Sequence, residues 1–511
     1  MSLKKRLIMI GVIAAAAALV FGIAKSGRNI TKKAEEESAF TPGYGKETLY
    51  LWYTDDALTS YLSSAAVTYN ETHDVRIVPV LETGLEYLEN INQASLGEEN
   101  IPDLYILSHD SLEKAYLAGL AHEVEPGENV SLEDRYMETG IHAATYKDKV
   151  IGYPFYFETS SLLYNKTYLE EMAKSQLQVQ ADVLAAEEAQ DNAPKVGESV
   201  EETENTSSEQ ESTPSFSDQQ VQERVEELLP ATLEDLKNFA DSYDAPEQVE
   251  SIFKWDVTDV FYNYFFIGNA IQMGGEAGDD VSKIDIYNED AIDSMRAYGE
   301  LNEFFSIDTG AVDYESVIDD FIAGKMVFTV ATTDVVSTIE QAREEGLFPY
   351  DYGIALTPDI NEDRKTRSLS MTQCVVINGY STHQEQANDF AKFLTTEYND
   401  ILYARTGKVS AAQNVDYDYE ALNEFAKEYE NSISMPKMIE TSNFWVQLET
   451  TFSQVWNGAD ANQMLKKLSE QIMQQVTGQP YEEEYIEENR EEEEVEYLDE
   501  EYYTQEALDE E

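Results

Sequence analysis

From Glu47 onward the chain alternates two hydrophobic patterns. "TLYLWY", residues 48–53, is a short β-rich run. In "DALTSYLSSAAVTYNETH" the apolar positions Leu58, Tyr61, Leu62, Ala65, Ala66 and Tyr69 recur at three- and four-residue intervals, the spacing of one helix face. "VRIVPVL" predicts a second strand, "GLEYLENINQASL" a second helix and "PDLYIL" a third strand. The order β-α-β-α-β argues for an α/β sheet with parallel pairing. The same alternation resumes at "LPATLEDLKNFADSY" and runs to about residue 480. Within it, "KMVFTVA" and "CVVING" predict buried strands, and "HQEQANDFAKFLTTEYND" and "ANQMLKKLSEQIMQQV" predict amphipathic helices.

Four stretches break this pattern. Residues 1–28 place Lys4, Lys5 and Arg6 before an apolar run from Leu7 to Ala24, as in a secretory signal. The run is also long enough to span a bilayer, so an uncleaved N-terminal membrane helix and a cleaved signal are both expected forms. No cysteine follows the run to carry a lipid. Residues 29–46 are a polar linker. Residues 175–224 are rich in Glu, Gln, Ser and Thr, with Phe216 their only aromatic residue. Such a composition buries too little apolar surface to offset ordering entropy, which predicts a disordered acidic insertion. Finally, the 31 residues from Tyr481 hold 17 acids and a single Arg490. They predict a solvated acidic tail, with a frayed acidic helix as the second option.

Charge and cysteine content narrow the function. With 101 acids against 34 bases, the formal net charge is −67. That field repels a nucleic-acid backbone, and no basic stripe offsets it. The single Cys374 precludes an internal disulfide or a thiolate zinc site, and its run "TQCVVING" marks it as a small buried hydrophobe. The five histidines show no i, i+3 or i, i+4 pair, so no metal site is expected. There is no G-x-S-x-G elbow, P-loop or G-x-G-x-x-G, and the "MGG" at Met273–Gly275 is too short for a phosphate loop. Among 101 acids, chance carboxylate pairs are everywhere, so counting identifies no glycosidase pair. The chain reads as a non-enzyme without a cofactor.

Binding chemistry is better represented. A sugar offers apolar C–H faces and a rim of hydroxyls, and its site needs aromatic platforms with acids or amides. The chain has 33 tyrosines and four tryptophans. Trp52 ends the first strand and Asp55 and Asp56 follow it, at the carboxyl edge where α/β sheets bind ligands. Core packing for Trp52 and helix capping for the aspartates suit the same positions. Ser108, His109 and Asp110 repeat the arrangement after the third strand. "GYPFYFETSSLLYNK", residues 152–166, surrounds Glu158 with aromatic residues, including Tyr156.

The order of "TLYLWYTDD", "IPDLYILSHDSLEKAYLAGLA", "KVIGYPFYFETSSLLYNK", "LPATLEDL", "FIAGKMVFTVA" and "SMPKMIETSNFWVQLETTFSQVWNG" resembles the family 1 extracellular solute-binding proteins. These are the substrate-binding components of sugar ABC importers, and the likeness is to their maltose/maltodextrin-binding branch. It covers residues 47–480 outside the insertion. The resemblance implies a two-lobed α/β fold of the periplasmic-binding-protein type II, with the ligand cleft between hinged lobes. Residues 47–156 and 375–413 would form lobe 1, and 160–370 and 414–480 lobe 2. The crossings would be "FETSS", the region before "CVVING" and the stretch after "GKVSAAQ".

The resemblance also implies site residues. Trp52, Thr54 and Asp56 match first-lobe sugar contacts, Asp110 a carboxylate accepting hydroxyls, and Glu158 the acid at the interlobe crossing. Trp445 matches a second-lobe stacking ring and Met435 an apolar contact beside it, with Asp256 a second-lobe acid. Tyr156 and Tyr264 are added from local aromatic density alone. Leu107 and Asp334 stand where maltodextrin binders carry stacking tryptophans, and Ala57 and Ser111 where they carry a clamping Lys and Arg. These departures imply a different or shorter ligand, or weaker binding. An unpaired buried carboxylate is costly, and no local residue pairs with Glu158, so it is expected to face the cleft.

The expected protein is thus an extracytoplasmic monomer at the cell membrane, held by its N-terminal helix or secreted. It captures a carbohydrate and passes it to ABC permease subunits. A membrane-anchored surface sensor or adhesion module on the same fold is the alternative.

Overall fold

The computed structural model describes residues 46–84, 86–97, 100–127, 131–191 and 216–487. Its main sheet has ten strands: β1 (Glu47–Tyr53), β2 (Val75–Leu81), β3 (Pro102–Ser108), β4 (Tyr153–Asn165), β5 (Ser251–Phe253), β6 (Met326–Thr332), β7 (Tyr352–Ala355), β8 (Leu369–Ile377), β9 (Val409–Ser410) and β10 (Ile433–Ser434). Their order is β2-β1-β3-β8-β4-β6-β5, with β7 and β9 also pairing β4 and β10 pairing β8. β1 is parallel to both β2 and β3, as the β-α-β-α-β reading requires.

The helices that matter below are α1 (Thr59–Thr72), α2 (Lys166–Asp191), α3 (Asp218–Leu228), α4 (Glu420–Asn431), α5 (Phe444–Trp456) and α6 (Ala461–Thr477). The apolar stripe of α1 behaves as its spacing predicts: Tyr61, Leu62, Ala65, Ala66 and Tyr69 are all buried.

β4 joins the two halves of the molecule. It is a 13-residue strand buried almost throughout, as expected of a central strand covered on both faces. Tyr153–Thr159 pairs with β8, and Ser160–Tyr164 pairs with β6. The handover falls on Thr159, Ser160 and Ser161, all fully buried. Small hydroxyl residues fit here because each satisfies its own polar atom on a neighbouring carbonyl. Thr159 donates to Leu369 O at 2.9 Å and Ser161 to Ala355 O at 2.6 Å. On one side of the handover lie cores built on Leu49, Leu104, Phe155 and Phe390, and on Tyr105 and Ile151. On the other lies a larger core around Trp255, Tyr298, Phe328 and Trp456.

Two expectations change. The stretch 175–224 is helical at both ends: α2 runs through Asp191, and α3 starts behind a capping box formed by Ser217 and Gln220, while the rest of the expected disordered insertion, residues 192–215, lies outside the described residues. Val221 and Val225 bury one face of α3, and Arg224 Nε donates to Gln176 Oε1 at 2.8 Å, tying α3 to α2. The tail is likewise held at its start, and its residues 488–511 lie outside the described residues. Ser469 of α6 donates to Glu483 at 2.6 Å, and Ile486 N donates to Tyr287 Oη at 2.9 Å. The expected signal or membrane helix lies outside the described residues. Among the described residues no helix is long and apolar enough to cross a membrane.

Candidate functional site

Three chain segments converge where β4 crosses between the halves. The loop after β1 brings Asp55, whose Oδ1 accepts from Ala57 N at 3.0 Å and caps the short turn Asp56–Leu58. β4 brings Tyr156 and Glu158. The third segment brings Lys408, set by Gly407 (φ 71°) at the end of the helix Leu402–Thr406 and immediately before β9. Lys408 Nζ lies 3.1 Å from Asp55 Oδ2, 3.6 Å from Glu158 Oε1 and 5.5 Å over the Tyr156 ring. Glu158 therefore has the partner that its local sequence lacks. Burial works against the Lys408 charge, but the Asp55 hydrogen bond and the Glu158 and Asp55 charges outweigh it and raise its pKa. Burial and the same two carboxylates push the Tyr156 phenol up, so it stays neutral.

A second convergence lies at the end of β3. β3 pairs β8 from Ile377 to Gln373, and β10 takes over alongside β8 at Ser370 and Leu369. His109 fills the junction. Thr372 N donates to its Nδ1 at 3.0 Å, and its Nε2 donates to Met435 O at 2.9 Å, a network that assigns the Nε2–H tautomer. Burial, with the charge of Lys437 beside it, holds the imidazole pKa down at about 4. Lys437 is itself buried. Its ammonium donates to the carbonyls of His142 at 3.3 Å, Thr145 at 2.8 Å and Ala277. Burial lowers its pKa to about 8 while nearby Asp279 opposes the fall. Glu113 accepts from Tyr146 Oη at 2.9 Å and Ile439 N at 2.7 Å. Residues 435–439 are thus fastened along their length to the segments that follow β3 and to residues 142–146.

Four buried polar atoms near these strand ends have no hydrogen-bond partner: Trp52 Nε1, Ser108 Oγ, Asp110 Oδ1 and Ser434 Oγ. Buried donors and acceptors are almost always satisfied, so these four stand out among the polar groups at the strand ends.

The remaining sequence candidates take different places. Thr54 and Asp56 are exposed in the loop after β1. Trp52 is largely buried in the first-lobe core rather than presented as an open ring. Met435 contributes its carbonyl to His109. Trp445, in the first turn of α5, is half-buried, with its ring 5.6 Å from that of Tyr264. Tyr264 is only 1% exposed and supports Trp445 from beneath. Asp256 is buried, its Oδ1 accepting from Thr258 N at 2.9 Å and Thr258 Oγ1 at 2.6 Å, so this carboxylate shapes its own turn. Leu107 is buried, and Asp334 accepts hydrogen bonds from Thr332 and Tyr314. A cavity of about 310 Å³ lined by Tyr69, Tyr136, Tyr153 and Phe393, and one of about 740 Å³ lined by Leu229, Thr357 and Arg367, contain none of these candidates.

Sequence reasoning passed over Lys408, Glu113 and Lys437. The available signal for Lys408 was a cation before an apolar crossing, in a chain with about three acids per base. The buried thiol of Cys374 agrees with its sequence reading, and burial pushes its pKa up to about 12.

Two α/β halves joined through shared strands have the architecture of a two-lobed solute-binding protein. The chain belongs to the bacterial extracellular solute-binding proteins, whose family model matches residues 64–426. The maltotriose-binding protein of Pyrococcus abyssi (strain GE5 / Orsay) is 20% identical over 405 residues, 76% of this chain and 74% of that protein. The extracellular solute-binding protein of Staphylococcus aureus, solved in complex with maltose, shares the fold with a TM-score of 0.65 at 18% identity, covering 84% of this chain and 98% of that one. A cyclo/maltodextrin-binding protein complexed with maltotetraose matches with a TM-score of 0.63 at 18% identity, over 87% of this chain and all (100%) of its own.

Proposed function

We propose that this protein captures a carbohydrate, an oligosaccharide, between its lobes and delivers it to the permease of an ABC transporter. The observation that carries the reading is the set of unpaired buried polar atoms on Trp52, Ser108, Asp110 and Ser434 at the strand ends. Sugar hydroxyls both donate and accept, so they can complete an indole N–H, a carboxylate and two hydroxyls together. Asp55, Asp56, Thr54 and Glu158 add acceptors on the first-lobe side. Trp445, backed by Tyr264, offers a stacking face from the second lobe, and Met435 an apolar contact. Asp256 acts by shaping its turn. Binding and release, without catalysis, is the whole of the activity, and the sequence of residues 1–28 suits tethering at the outer face of the membrane.

The test is calorimetric titration of purified protein with maltose, maltotriose, maltotetraose and a panel of unrelated mono- and oligosaccharides. Binding tighter than about millimolar by at least one is expected. If every member of the panel fails, the carbohydrate reading falls. Uptake of the bound sugar by cells with and without the gene tests delivery.

A further inference from the structure

The ion cluster at the crossing holds two carboxylates and one ammonium. Among the described residues, Lys408 is the only cation within 4.0 Å of either Asp55 or Glu158. All three side chains reach solvent: Glu158 is 42% exposed, Asp55 28% and Lys408 24%. Exposed ion pairs add little stability, so three charges held together by three separate segments call for another role. An ammonium has three N–H donors; Asp55 Oδ2 at 3.1 Å takes one, whereas Glu158 Oε1 at 3.6 Å pairs by charge without a hydrogen bond. What remains is N–H donor capacity beside a carboxylate with acceptor capacity to spare, above the Tyr156 face.

Charge decides what such a surface accepts. An anionic ligand meets two carboxylates and a chain of net charge −67. A cationic ligand has to compete with an ammonium already in position. A neutral pair of adjacent hydroxyls meets neither obstacle, because one hydroxyl can donate to the carboxylate while the other accepts from the ammonium. Without Lys408 the same place would be a bare pair of acids, which favours cations.

We propose that Lys408 sets the charge selectivity of the cleft, pairing Asp55 and Glu158 so that the site takes neutral vicinal diols and rejects protonated amino sugars. This rests on the carbohydrate reading above and names the residue that decides among carbohydrates. Asp55 is the counterpart: as Asn it would still cap Ala57 N but carry no charge.

The experiment titrates wild type, Lys408→Met, Lys408→Gln and Asp55→Asn with maltotriose and with a glucosamine trisaccharide at pH 6, after circular dichroism has verified folding. Wild type should prefer the neutral sugar by tenfold or more. Lys408→Met and Lys408→Gln should each weaken the neutral sugar by tenfold or more and reduce or reverse the preference by at least tenfold. Asp55→Asn should move the preference further from the amino sugar. If wild type binds one of the probes and the ratio is unchanged in either folded Lys408 variant, Lys408 is not the selector, and the carbohydrate reading stands. If wild type binds neither probe nor any sugar of the wider panel, that reading falls and takes this one with it. Should both Lys408 variants fail to fold, Asp55→Asn decides: an unchanged ratio overturns the proposal.

Discussion

His109 donates its Nε2 proton to the Met435 carbonyl at 2.9 Å, joining the end of β3 to the start of residues 435–439. The same ring accepts from Thr372 N at 3.0 Å, so one neutral imidazole fastens β3, β8 and the segment after β10. It can do so only while Nδ1 remains unprotonated. Burial and Lys437 keep its pKa at about 4, below the ordinary value of 6.5. Between these two values the unfolded chain binds the proton and the folded chain does not, so stability is lost as pH falls from about 6.5 toward 4. Urea denaturation across that window should show a steeper acid loss for wild type than for His109→Gln, which can still donate to Met435 but does not titrate. Parallel pH profiles would remove His109 from the account.

Glu428 contributes with the opposite sign. It is fully buried in α4 and accepts from Thr357 N at 3.1 Å and Thr357 Oγ1 at 3.3 Å. Burial pushes its carboxyl up to about 7, tempered by hydrogen bonds from Ser368, Thr357 and Ser161. The folded state holds this proton where the unfolded state, with an ordinary value near 4.5, has released it. Its contribution is therefore present in full below about pH 4.5 and lost as pH rises through 7. Glu428→Gln, which mimics the protonated acid, should match wild type near pH 5 and exceed it at pH 8 by on the order of 2 kcal/mol. A variant less stable than wild type at both pH values would show that the carboxylate's acceptor capacity outweighs the cost of burying its charge.

These buried groups also mark where the sequence stops being legible. β1, β2, β3 and α1 follow from local periodicity, because each buries one face and its neighbours supply the pattern. In β4 the run of Ser, Leu, Leu and Tyr after Glu158 reads as a strand. The ends of the insertion were not: α3 is anchored by little more than Val221 and Val225, too few apolar positions to stand out among Glu and Gln. For the site, strand ends pointed to Trp52 and Asp110, the aromatic stretch to Glu158 and the family resemblance to Trp445, but none of these showed how they are held. Glu113 meets Ile439 across 326 positions and Lys437 meets Thr145 across 292, distances over which no local pattern carries information. Asp256 shows the converse, since a suitable acid in a suitable place has its carboxylate committed to Thr258.

Lys437 should be the least replaceable of the residues missed. Its ammonium serves the carbonyls of His142, Thr145 and Ala277 from a fully buried position. Lys437→Met fills much of the same volume but leaves those three acceptors without their donor. Unpaired buried acceptors cost about 1–3 kcal/mol each when isolated, and here water entry would recover part of that. A net loss of about 3 kcal/mol in unfolding free energy is expected, read from urea midpoints at constant slope. A loss below about 1 kcal/mol would mean that the carbonyls find other donors and that the ammonium is not what fastens residues 435–439.

Trp445 and Tyr264 test the division between binding and support on the second-lobe side. Their rings are 5.6 Å apart at an interplanar angle of 53°. Trp445 is half-buried, whereas Tyr264 is buried and sits in the main second-lobe core. If Trp445 supplies the stacking face, Trp445→Ala should weaken sugar binding by on the order of 1–3 kcal/mol and cost less than that in stability, because part of its surface is already in water. Tyr264→Ala removes a core ring and should lower stability by about 3–5 kcal/mol. In the fraction that remains folded, its effect on affinity should be smaller than that of Trp445→Ala, since it acts only through the ring it supports. Calorimetric titration and chemical denaturation of both variants separate the two quantities. Unchanged affinity in Trp445→Ala would take that ring out of the site, and a larger affinity loss in Tyr264→Ala would exchange the two roles.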